Sequence, residues 1–97
     1  MKSKTLKILK KAMEDKVAVG AFNTSNMEVT QAIIMAANNL KKSCIIQTTV
    51  STMEYTFDTI GELVKSNVKK LAPNTEIGFH LDHGHSFHEI TKAIDLG

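Results

Sequence analysis

Apolar residues along this chain follow two alternating rhythms. Continuous apolar runs such as Val17-Ala18-Val19-Gly20-Ala21-Phe22 and Cys44-Ile45-Ile46 read as buried strands. Between them, apolar residues recur every three or four positions, as on one face of a helix. Leu6, Leu9 and Met13, with lysines on the other side, mark a short amphipathic helix over residues 3–15. A first strand runs from Val17 to Asn23. Ser25, followed three residues later by Glu28, reads as a capping box, and the helix it opens carries Met27, Ile33, Ile34, Ala37 and Leu40 on one face. Ser43 to Val50 is a second strand, rich in isoleucine and threonine. Phe57, Ile60, Val64, Val68 and Leu71 then define one longer helix, and Pro73-Asn74 the loop after it. Glu76 to Asp82 is the third strand. Ser86 and Glu89 make another capping box, ahead of a helix face of Phe87, Ile90 and Ile94, and Gly97 sits where a C-cap glycine belongs.

One leading helix and three strand-helix units predict an α/β fold with parallel strands covered by helices. No linker or low-complexity tract divides the chain, so residues 1–97 form one unit. Three parallel strands leave two unpaired edges, which reads as the beginning of something larger.

Composition narrows the function classes. A hydrophobic content of 42% argues against disorder. The net charge is +2, and the lysines that crowd the segment before residue 43 interleave with apolar residues at helical spacing. That is a solvated helix face and not a footprint for nucleic acid. The single cysteine, Cys44, has no internal disulfide partner, reads as a small buried hydrophobe and fits a reducing compartment. Lysines break up the first residues, so no secretory core is expected there, and no segment approaches a membrane span. A soluble, cytoplasmic protein is expected.

Candidate chemistry concentrates in Gly78-Phe79-His80-Leu81-Asp82-His83-Gly84-His85. A short apolar strand here delivers a carboxylate and an imidazole side by side at its carboxyl end, where α/β proteins gather ligands. Asp82 is readable as a proton-transfer group or as a turn cap. His83 is readable as a metal ligand or as a polar loop residue, and zinc needs about three protein donors. His80 shares a strand face with Asp82 and is readable as a packed side chain. His85 lies beyond a glycine, and His88 falls in the first turn of the last helix. Asn23 ends the first strand as Asp82 ends the third, and Thr49 ends the second. Each has a local explanation, an Asx-turn or strand propensity, yet polar residues at three successive strand ends are expected at the mouth of a (β/α)8 barrel.

Val19-Gly20-Ala21-Phe22-Asn23, Asn26-Met27-Glu28, Gln31-Ala32-Ile33, His80-Leu81-Asp82-His83-Gly84 and Ala93-Ile94-Asp95-Leu96-Gly97 resemble, in register, the amino-terminal third of class II fructose-bisphosphate and tagatose-bisphosphate aldolases. The resemblance implies the first three βα units of a (β/α)8 TIM barrel, with the remainder of the barrel absent. It implies a divalent metal, usually zinc (Zn2+), and reversible cleavage of a ketose bisphosphate into dihydroxyacetone phosphate and an aldehyde. Carried over by position, Asp82 matches the aspartate that exchanges a proton with the C4 hydroxyl, and His83 one histidine ligand of the metal. Asn23 matches an asparagine lining the site, and Thr49 falls where the family commonly has a substrate-contacting serine. The remaining metal ligands are expected beyond Gly97, and a homo-oligomer is implied for the complete protein.

The chain departs from the family pattern in two places. Thr49-Val50-Ser51-Thr52-Met53-Glu54-Tyr55 stands where relatives show a serine, a glycine-containing turn and often a basic residue near position 54. Ser25 replaces a common asparagine. The expected function is metal-dependent aldol cleavage in the complete protein, with the 97 residues inactive alone. The alternative is a truncated remnant serving as an interaction or small metal-binding module.

Overall fold

The computed structural model describes residues 3–97. Eight elements follow one another: α1 (Lys4–Asp15), β1 (Ala21–Asn23), α2 (Met27–Leu40), β2 (Cys44–Thr49), α3 (Val50–Tyr55), α4 (Ile60–Leu71), β3 (Ile77–Asp82) and α5 (Phe87–Asp95). The strands form one parallel sheet in the order β1-β2-β3. Ala21 pairs with Ile45 and Asn23 with Gln47, while Gln47 pairs onward with His80 and Thr49 with Asp82. Sequential order means that each crossover advances the sheet by one strand in the same direction.

Alternation along the strands sorts the side chains between two faces. Cys44, Ile46 and Ile77 join Ile34, Ala37, Met53, Ile60 and Val64 in the main core, beneath α2 and α4. Phe79 and Leu81 pack against the same cluster. The opposite face carries Asn23, Ile45, Gln47, Thr49, Gly78, His80 and Asp82. α1 crosses the amino-terminal end of that face, close enough to β3 that a Cβ on Gly78 would overlap Thr5. The carboxyl-terminal half of the face is left bare, and it is the polar half.

Several expectations about helix faces change. The buried side chains of α1 are Ile8 and Ala12, whereas Leu6, Leu9 and Met13 are exposed. The helix is docked through the side that meets β3, one step round from its most apolar stripe. α2 is capped by Asn26, whose Oδ1 accepts from Val29 N–H at 2.8 Å, and not by Ser25. Met27 and Leu40 of its expected face are exposed. The helix expected from Phe57 to Leu71 begins only at Ile60, because Phe57 and Asp58 adopt left-handed backbone (φ 51° and 62°), and a short helix not expected from the sequence, α3, precedes them directly after β2. Phe57 is therefore an exposed loop residue. α5 has the expected cap, with Ser86 Oγ accepting from Glu89 N–H at 3.1 Å, while Glu89 Oε1 accepts from His85 N–H at 2.9 Å. None of its residues is buried, however, and Phe87, Ile90 and Ile94 face solvent. Gly97 has φ +86° and its N–H donates to Ile94 O at 3.0 Å, the expected glycine stop.

Candidate active site

Three strands bring polar side chains together at the bare end of the sheet. Parallel pairing places Asn23 beside Gln47, and Gln47 beside His80, with Asp82 one pleat further on the same face. Asn23 Nδ2 donates to Asp82 Oδ2 at 3.1 Å, although the two residues are 59 apart in sequence. Gln47 Nε2 donates to Asn23 Oδ1, also at 3.1 Å. The result is a hydrogen-bonded chain running from β2 through β1 to β3.

His83 leaves the strand in left-handed backbone (φ 58°), a sharp change of direction immediately after Asp82. Its Nε2 lies 3.7 Å from Asp82 Oδ2, too long for a hydrogen bond. The imidazole is 72% exposed and the Asp82 carboxylate 29% exposed, so the pair opens to solvent with the carboxylate the more sheltered partner. His80 is exposed on the Asp82 face. The His85 ring lies 6.4 Å from that of His83, and His88 is on α5. Among the described residues, no group of three His, Cys, Asp or Glu side chains is placed to hold a metal ion.

Thr49 pairs with Asp82 across the sheet, but its hydroxyl is engaged locally. It accepts from Thr52 N–H and donates to Thr52 Oγ1, both at 3.3 Å, and so caps α3. The structure thus brings Asn23, Asp82 and His83 together and sets Thr49 at the rim. Gln47 was missed from the sequence. The available signal was alternation: it lies two residues before Thr49, on the same face, as the one amide in an otherwise apolar strand opening. Cys44 is buried in the core, and burial pushes its thiol pKa up, away from nucleophilic use.

Parallel βα units with polar groups at the carboxyl ends of the strands fit the opening of a (β/α)8 barrel, and solved aldolase structures are similar to this chain. A protein from Coccidioides immitis described as a fructose-1,6-bisphosphate aldolase superposes with a TM-score of 0.85 at 26% identity, over 97% of this chain and 35% of its own. The YdjI aldolase from Escherichia coli K12 gives 0.81 at 26% identity, over 91% and 34%. In sequence, the fructose-bisphosphate aldolases of Thermus caldophilus and Geobacillus stearothermophilus are each 37% identical over 92 residues. Residues 3–97 match the family described as fructose-bisphosphate aldolase class-II. The chain belongs to that family, and its fold is that of the opening βα units of the barrel. It spans about a third of the length of the curated relatives it matches, 30% and 32% for those two.

Proposed function

We propose that this chain is the amino-terminal portion of a single barrel domain that cleaves and condenses a ketose 1,6-bisphosphate, fructose or tagatose, with a divalent metal. The products are dihydroxyacetone phosphate and glyceraldehyde 3-phosphate. The observation that carries the reading is the Asn23–Asp82 hydrogen bond at the strand ends, with His83 alongside.

Cleavage of the C3–C4 bond requires the C4 hydroxyl to lose its proton as its oxygen becomes the aldehyde carbonyl. The electron pair stays with the other half as an enediolate. Asp82 takes that proton and returns it in condensation. Both of its contacts, from Asn23 and from His83, fall on Oδ2, which leaves Oδ1 for the substrate hydroxyl. Asn23 holds the carboxylate in place and lines the site, and Thr49 lines it at the rim. His83 fits one position of a zinc site: its imidazole is exposed and turned out of the strand beside a carboxylate. When bound, the metal would supply Lewis-acid stabilisation of the charge that develops on the enediolate.

One imidazole is one donor of about three, so in this reading further ligands lie beyond Gly97 and the 97 residues alone are inactive. The complete protein is proposed to be a cytoplasmic homo-oligomer. Among the described residues, no helix is long and apolar enough to cross a membrane.

Asp82→Asn in the complete protein tests the assignment, because it removes the proton acceptor while keeping size and shape. Cleavage is expected to fall by about 10²–10⁴, the usual worth of a general base, with zinc content by metal analysis unchanged. Near-normal turnover would overturn it.

A further inference from the structure

We propose that Gln47 is a positioning residue that fixes the orientation of the Asn23 amide and, through it, the carboxylate of Asp82; this rests on the reading of Asp82 as the proton-exchanging group. An ionised carboxylate can only accept hydrogen bonds. Asn23 must therefore present Nδ2 to Asp82 Oδ2, which turns its own Oδ1 the other way. Gln47 meets that oxygen with Nε2 at 3.1 Å. Every donor in the chain points in one direction, and Asp82 dictates which.

Among the described residues, Gln47 and Asp82 are the two partners of the Asn23 side chain. Without Gln47, a half-turn of the Asn23 amide would set its oxygen against the Asp82 carboxylate, and nothing would oppose the turn except Asp82 itself. Gln47 is well placed to oppose it. It sits in β2, the central strand, half-buried and paired on both sides, by Asn23 and by His80. Its backbone is the best-held of the three.

Two variants of nearly equal length separate orientation from packing. Gln47→Met removes the donor and leaves the volume. Gln47→Glu replaces the donor with an acceptor, which favours the reversed Asn23 amide and brings its oxygen to Asp82. The intact protein is examined in two ways: the side-chain amide resonances of Asn23 in ¹⁵N–¹H spectra, and steady-state cleavage of both bisphosphates. The Asn23 resonances should move in both variants and differ between them. In Gln47→Met, kcat should fall about tenfold, the size of one hydrogen bond's contribution, and further in Gln47→Glu, with KM held within about twofold. Unmoved Asn23 resonances, equal kcat in the two variants, or a loss carried by KM would overturn the proposal. If the wild-type protein cleaves neither bisphosphate, the aldolase reading fails on its own, and the Asn23 resonances alone decide whether Gln47 orients that amide.

Discussion

Phe57 holds backbone that costs a side-chain-bearing residue about 1–2 kcal/mol relative to right-handed helix. Its φ is 51°, the next residue, Asp58, is also left-handed, and the Phe57 ring is 88% exposed, so little packing offsets the cost. Asp58 suits such backbone better and has a partner, with Oδ2 3.0 Å from Lys92 Nζ on α5. Phe57→Gly is therefore expected to raise unfolding stability by about 0.5–1 kcal/mol, after allowing for the extra freedom glycine gives the unfolded chain. A denaturant titration checks this, and a lower midpoint would mean that the ring packs after all. His83 has the same backbone for a different reason: the turn carries its imidazole out of the strand beside Asp82. At this scale the geometry of the candidate site was half legible. Asn23 and Asp82 stand out in the sequence because each ends an apolar run, and His83 because it directly follows Asp82. Gln47 does not, because a lone amide inside such a run looks like ordinary surface until pairing sets it beside Asn23. The capping role of Thr49 was hidden too, since it is visible only once the helix it caps is known.

Caps decide where the elements begin, and here two candidates lay next to each other. The sequence pairing of Ser25 with Glu28 is a sound capping signature, yet Asn26 takes the position and Glu28 falls in the first turn of α2, near its positive end. Thr24 and Thr30 explain the shift. Both are buried, their hydroxyls are hydrogen-bonded to each other at 2.8 Å, and both lie within hydrogen-bond distance of the Asn26 carbonyl, pinning the turn between β1 and α2 at that residue. Asn26→Ala is expected to cost about 1 kcal/mol, and Ser25→Ala within about 0.5 kcal/mol of nothing. Equal losses in thermal or chemical unfolding would return the cap to Ser25. The strands were legible nearly to the residue at their carboxyl ends, because apolar runs closed by a polar residue are hard to misread. β1 is shorter than its run: pairing with β2 begins at Ala21, with Gly20 O accepting from Ile45 N–H at 2.9 Å just before it. The start of α4 was read too early for a simple reason: Phe57 falls on the period of Ile60, Val64 and Val68 although its backbone is not helical. Periodicity records spacing and is blind to a left-handed residue.

The whole molecule has more apolar surface to cover than its own elements reach. β1 is exposed along its length, α5 buries no residue, and Leu40, Phe22 and Val17 line an open groove between α1 and α2 beside the β1 edge. Open parallel edges and uncovered helix faces are what a barrel segment shows before neighbouring βα units pack on it. The metal question follows the same logic. Zinc held by a single exposed imidazole competes poorly with water, whereas a tetrahedral site gains its affinity from several deprotonated donors fixed together. Native mass spectrometry of the 97-residue chain, with and without zinc, separates the proposed barrel segment from a self-sufficient small metal-binding protein. The expected spectrum shows no stoichiometric zinc on the single chain, because the described residues bring no three donors to one point. A species retaining about one zinc per chain would show that these residues, alone or between copies, complete a site. The aldolase reading would then have to accommodate ligands drawn from His80, His83, His85 or a second molecule, and cleavage of both bisphosphates by that species would decide whether the completed site is the catalytic one.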